Sequence, residues 1–141
     1  MNLNKSCGTL IKQIHTTLEK NANNALRADD LTMAQISVLI TLDENAEKRM
    51  LLKELEKKLH LAQSTTAGLV SRLEQKGLVE SYGDPSDKRV KFVRITLEGE
   101  QCCQVAEQSM LEAEAELLSG LTETEKDFFY SLLLKVSETI N

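Results

Sequence analysis

Apolar residues recur at steps of three and four through Leu3, Cys7, Leu10, Ile11, Ile14, Leu18, Ala22, Ala25 and Leu26, which predicts an amphipathic helix over residues 3–26. The pattern breaks over residues 27–31. Thr32 followed by Gln35 has the form of a capping box, and Met33, Ile36, Leu39 and Ile40 supply the stripe of a second helix ending near residue 43. After a polar connection, Arg49 and Met50 read as a short strand, and Leu51, Leu52, Leu55 and Leu59 as a third helix. A break at His60 and Leu61 precedes a helix over residues 64–76, closed by Gly77, the residue type that best tolerates the left-handed conformation. Residues 78–82 and 90–96 are rich in strand formers, and Gly83-Asp84-Pro85-Ser86-Asp87 between them is rich in turn residues. Helical spacing returns over residues 98–119, through Cys102 or Cys103, Ala106, Met110, Ala113 and Leu117. Thr122 and Glu125 form a second capping box, ahead of a last helix lined by Phe128, Phe129, Leu132, Leu133, Val136 and Ile140.

This order predicts a mainly α fold with a small β-wing. Helix, turn, helix, then a hairpin with basic residues at its tip is the outline of a winged helix-turn-helix, placed here at residues 32–97. The flanking segments, 1–28 and 98–141, carry apolar stripes longer than so small a lobe can cover, so the expected arrangement is a two-fold homodimer that buries them mutually. At 141 residues, the chain is expected to be one domain.

The formal charge of −5 changes the picture only after it is divided along the chain. Residues 1–50 hold six basic and six acidic side chains, residues 51–96 nine basic and six acidic, and residues 97–141 two basic and ten acidic. The basic segment is therefore the predicted winged helix, as a phosphate-facing surface requires. With no Trp and few aromatics, base stacking is a poor candidate for the binding mode. No apolar run is long enough to span a membrane or form a signal peptide, which points to a cytoplasmic protein. Three cysteines, two of them adjacent, make neither a disulfide framework nor a metal pattern with His15 and His60. No cofactor is expected.

On a helical wheel, residues 64–76 separate Thr66, Leu69, Val70, Leu73 and Gly77 from Ser64, Thr65, Gly68, Ser71, Arg72 and Gln75. The second set is small or hydrogen-bonding, which lets a helix backbone approach base edges in a major groove. Glycine inside a helix costs about 1 kcal/mol relative to alanine, so Gly68 needs a reason, and close approach to double-stranded DNA supplies one. Lys88 and Arg89 lie at the hairpin tip, with Lys91 on the same strand face as Arg89.

The residues Thr32-x-x-Gln35, the run from Leu69 through Val79, and Asp84-Pro85-Ser86-Asp87-Lys88-Arg89 followed by Ile95-Thr96-Leu97-Glu98-Gly99 resemble the MarR family of bacterial transcriptional regulators. The resemblance extends over nearly the whole chain and implies a DNA-binding homodimer, a repressor by default, acting on a pseudopalindromic operator. It implies that Arg89 enters the minor groove while Asp87 orients the wing against the recognition helix through Arg72. The chain departs from the family at Ala62 and Ser71, where the family often has Ser or Thr and Asp, respectively. Ser64 then becomes an alternative helix cap.

The resemblance further implies release by a small aromatic or anionic effector between the dimer helices and the DNA-binding lobe. Ile11, His15, Met33, Ile36, Ile40 and Met110 are the candidate lining residues, although each also fits an ordinary core. Some branches of the family sense peroxide through a first-helix cysteine, which makes Cys7 a redox candidate. A protein-interaction module without DNA binding is the rival from another class, and Lys88, Arg89 and Lys91 count against it. An enzyme is not expected, because no nucleophile, base and orienting group can be assembled and no phosphate-cradling glycine loop is present.

Overall fold

The first helix starts later than its apolar spacing predicts, because Ser6 caps it. In the computed structural model, which describes residues 2–141 and for Ala28 the backbone alone, Ser6 is extended and its hydroxyl accepts the Thr9 N–H at 3.1 Å. This satisfies one of the donors that every helix start leaves free. A 3-10 turn at Leu3–Lys5 thus stands apart from α1, Cys7–Leu26. A second 3-10 turn, Arg27–Asp29, ends at Asp30 with φ 55°. The predicted capping box then opens α2, Met33–Glu44: Thr32 Oγ1 accepts the Gln35 N–H at 3.2 Å, and Gln35 Oε1 accepts the Thr32 N–H at 3.3 Å.

The expected short strand is β1, Arg49–Leu51, which leads directly into α3, Leu52–Leu59. His60, at φ 54°, turns the chain toward α4, Gln63–Gln75. The start of α4 lies just before the predicted one, with Ala62 in the cap position and no side-chain cap, so Ser64 is a helical residue and not the cap. Gly77 closes the helix region at φ 74°, as expected. The hairpin is longer than its composition suggests. Strand β2 spans Val79–Asp84 and β3 spans Asp87–Ile95, leaving Pro85 and Ser86 as the tip. The Asp84 carboxylate accepts the Ser86 N–H and hydroxyl at 2.9 and 2.7 Å, so one side chain closes a turn that the sequence spread over five residues. The three strands form an antiparallel sheet in the order β1-β3-β2.

Helix α5, Leu97–Leu117, starts against the lobe. Thr96 Oγ1 donates to the Gly77 carbonyl at 2.7 Å and accepts the Gly99 N–H at 3.1 Å. A Cβ at Gly99 would collide with the Leu78 carbonyl oxygen, which explains the glycine. Helix α6, Glu123–Ile140, opens with the predicted capping box of Thr122 and Glu125.

The chain divides into two compact units, one through Glu107 and one from Gln108 to Asn141. The first is built on Ile36, Leu39, Leu42, Leu55, Leu73 and Val93, all buried, so α2, α3, α4 and the sheet share one core. None of the described α1 or α6 side chains is fully buried. Along α6, Phe128, Leu132, Val136 and Ile140 follow one another at steps of four and are 64, 62, 53 and 78% exposed. On α1, Leu10 and Ile11 are about half exposed.

Candidate nucleic-acid interface

Helix α4 is oriented by its buried side. Thr66, Val70 and Leu73 are buried in the core, and the Thr66 hydroxyl donates to the Ala62 carbonyl at 3.1 Å, which removes its polarity from the interior. The opposite side is left to solvent. Ser64, Thr65, Gly68, Ser71, Arg72 and Gln75 are all exposed, the set that the helical wheel separates from the core. Around Gly68 there is open space, with no atom within 4 Å of where a Cβ would sit, so packing within the chain does not require the glycine.

The wing carries Lys88, Arg89 and Lys91, all exposed, with the Arg89 side chain 93% accessible. Asp87 holds this cation from two residues away: its Oδ1 accepts the Arg89 N–H at 3.0 Å and the Arg89 Nε–H at 3.3 Å. The expected bridge from Asp87 to Arg72 is not formed. Asp87 Oδ1 is engaged within its own strand, while among the described residues the Arg72 side chain makes no hydrogen bond or ion pair.

The link between the recognition helix and the wing is made by other residues. Glu74, near the end of α4, accepts the Ser81 N–H at 3.0 Å and the Ser81 hydroxyl at 2.9 Å, fastening β2 to the helix. On one face of the sheet, Arg49 donates to the Tyr82 hydroxyl at 2.9 Å and lies 4.8 Å above the Phe92 ring, which stacks on Tyr82 at 5.5 Å. The hydrogen bond to Tyr82, and next the one to Glu47, raise the Arg49 pKa further. Neither contact is a sequence motif. Cross-strand register brings the aromatic pair together.

The ligand candidates read from the sequence scatter. Ile36 belongs to the buried core, Met33 and Ile40 are partly buried, and Ile11, Met110 and His15 are exposed, His15 lying 3.4 Å from Glu19. None of them lines the cleft of about 580 Å³ bordered by Asn23, Arg27, Asp30, Leu31, Thr32, Gln35, Arg72, Gln75 and Lys76. Of the thiols, Cys7 is exposed at the first position of α1. Burial raises the Cys102 thiol and pushes the Cys103 thiol up to about 12, so both stay protonated at neutral pH. Among the described residues, no helix is long and apolar enough to cross a membrane, and no cluster of His, Cys, Asp and Glu is arranged to hold a metal ion.

A helix pair whose second member turns a small, polar face outward, beside a three-stranded sheet ending in a basic hairpin, defines the winged helix-turn-helix class. The signature of the MarR family matches residues 31–91. An HTH-type transcriptional regulator of Bacillus subtilis, YxaD, is 32% identical over 85% of this chain and 78% of its own length. The HTH-type transcriptional repressor IacR of Pseudomonas putida is 30% identical over 82% of this chain and 68% of its own length. A cysteine-to-serine mutant of Escherichia coli MarR, solved in complex with operator DNA, superposes with a TM-score of 0.81 at 29% identity, covering 96% of this chain and 98% of that one. The chain belongs to the MarR family of transcriptional regulators, and its relatives are regulators, not enzymes.

Proposed function

We propose that this chain is a homodimeric repressor that binds a pseudopalindromic operator and is released by a small ligand. The observation that carries the reading is the exposed face of α4, built from Ser64, Thr65, Gly68, Ser71 and Arg72, on the same lobe as the exposed Lys88, Arg89 and Lys91 of the wing. Each protomer lays α4 in a major groove and inserts Arg89 in the adjacent minor groove, whose narrow form concentrates negative potential. Two-fold symmetry sets half-sites about 34–36 Å apart. The exposed apolar stripes of α1 and of α6 are the surfaces that a second copy covers. Operator DNA in the MarR complex and the repressor role in the name of IacR support the assignment. Such a protein works in the cytoplasm.

Release by a ligand is the reading taken for this chain; burial keeps Cys102 and Cys103 protonated, which removes those two thiols as oxidation sensors. Cys7 is the remaining redox candidate, and a peroxide response that disappears in Cys7→Ser would reverse that preference. The test of the main reading is titration of the protein with its own upstream intergenic DNA across a salt series, with random-sequence competitor. Tight, competitor-resistant binding is expected, and Arg89→Ala should weaken it by roughly 5- to 100-fold while reducing the salt slope. Equal, weak affinity for all sequences, or an unchanged affinity in Arg89→Ala, refutes it.

A further inference from the structure

Lys76 stands at the end of the recognition helix, yet its side chain is directed into the protein. It caps α4, its backbone N–H donating to the Arg72 carbonyl at 3.3 Å, and its side chain is 26% exposed. The ammonium donates to the Asp30 carbonyl and, at 3.2 Å, to Gln35 Oε1, and it lies 3.7 Å from the Asp30 carboxylate. An ammonium has three N–H donors and no acceptor. With two hydrogen bonds and a carboxylate at the corner between α1 and α2, this charge is engaged before DNA arrives. Lys88 and Lys91 of the wing differ: both are exposed, and neither side chain has a hydrogen bond or ion pair among the described residues.

Gln35 ties this contact to the core. It is 3% exposed, and its Oε1 also accepts the Thr32 N–H at 3.3 Å, closing the capping box of α2. Both partners of this oxygen are donors, so they fix which end of the amide faces them. One buried atom therefore joins the start of α2, which places Ile36 and Leu39 in the core, to the end of α4. Asp30, the second acceptor, turns the chain at φ 55°, and its N–H is held by the Arg27 carbonyl at 3.0 Å. On the other side of the α4 end, Thr96 Oγ1 donates to the Gly77 carbonyl at 2.7 Å. The first turn of α4 has no such fastening, since Ala62 supplies no side-chain cap. From Ser64 to Lys76 the helix axis runs about 18 Å, so a tilt of about 5° at Lys76 displaces the Ser64 end by about 1.5 Å. That is roughly half the length of a hydrogen bond to a base edge.

We propose that Lys76 is a positioning residue for DNA recognition: by joining the end of α4 to Gln35 and Asp30, it fixes the angle at which α4 meets the major groove, without touching DNA. The part played in DNA binding rests on the proposed function above, whereas the fixed angle does not.

Two variants test it. Lys76→Met keeps the apolar stem and removes the donors, and Lys76→Arg keeps donors for the same acceptors. Each is titrated with the upstream intergenic DNA and with random-sequence DNA across a salt series. The angle between α2 and α4 is read in the DNA-free protein from residual dipolar couplings of backbone N–H groups. Lys76→Met should change the couplings of α4 relative to α2 and lose roughly tenfold or more in operator affinity, with random-sequence affinity and salt slope unchanged. Lys76→Arg should restore both. A residue that merely stabilises the fold leaves the ratio of operator to random affinity unchanged well below Tm, and that result overturns the proposal. An equal loss on both DNAs, with a salt slope smaller by about 1, is the mark of a phosphate contact and overturns it too. So do unchanged couplings in Lys76→Met. No operator preference in the unsubstituted chain refutes the regulator reading, and the couplings then decide the fixed angle by themselves. A last measurement needs no variant to fold: with operator added to the unsubstituted chain, Lys76 Nζ should keep its scalar coupling to the Gln35 side-chain carbonyl, and a coupling to phosphorus in its place refutes the role.

Discussion

Gly68→Ala separates the two reasons a glycine can have for sitting inside a helix. The residue lies in the middle of α4, Gln63–Gln75, where alanine is favoured over glycine by about 0.8–1.0 kcal/mol. No heavy atom lies within 4 Å of the Cβ that alanine would add, so no packing strain opposes that gain. The variant should therefore be more stable by about 1 kcal/mol, which for a chain of this length raises Tm by roughly 3 to 4 °C at fixed protein concentration. The same methyl stands on the exposed side of α4, between the positions of Thr65 and Arg72. If that side rests on base edges, the methyl holds the helix off them, an overpacking cost of about 1–3 kcal/mol per half-site. Two half-sites then weaken operator binding by at least tenfold. Thermal unfolding and operator titration on one preparation read both effects. The expected result is a more stable protein that binds worse. A variant that gains stability and keeps full operator affinity refutes close approach at Gly68; one that loses stability refutes the packing argument.

Gly99→Ala has the opposite sign for stability, because its Cβ meets the Leu78 carbonyl and lies 2.7 Å from a methylene of Ile95; denaturant unfolding should show a loss of about 1–3 kcal/mol, and a loss under 0.5 kcal/mol contradicts the contact. Glu74→Gln should leave the fold intact but weaken operator binding severalfold by loosening the tie between α4 and Ser81, read as faster hydrogen exchange at the Ser81 amide; unchanged exchange rules the tie out as a constraint. For Cys103, folding raises the thiol pKa from 9.0 to about 12, so the unfolded chain releases its proton first: stability is fully present below pH 9 and falls as pH climbs toward 12. Cys103→Ala should flatten that alkaline fall, and an unaltered pH profile removes Cys103 as its source. Leu132→Asp, on the exposed stripe of α6, tests the proposed homodimer: light-scattering chromatography at micromolar concentration should show a dimer for the unsubstituted chain and a monomer for the variant, and a dimer that survives places the interface elsewhere.

The elements were legible where the signal is local. Both capping boxes, the closing Gly77, the short strand at Arg49 and Met50, and the division of α4 into a buried and an open side need only residues a few positions apart, and all appear in the structure. The hairpin strands are longer than local composition suggests, for the same reason. Glycine, proline and aspartate mark turns, but Gly83, Asp84 and Asp87 here pair across the ladder, and only the tertiary register shows it. The late start of α1 is not legible from spacing, because Leu3 keeps the apolar period and only the Ser6 cap marks where the α-helix begins. Contacts between distant segments were not legible at all. Glu74 with Ser81, Arg49 with Tyr82, and Arg27 with Gln35 and Lys76 around one cleft depend on how α4 docks on α2 and the sheet. The expected Asp87–Arg72 bridge failed by the converse route, since a nearer partner, Arg89, was already within reach.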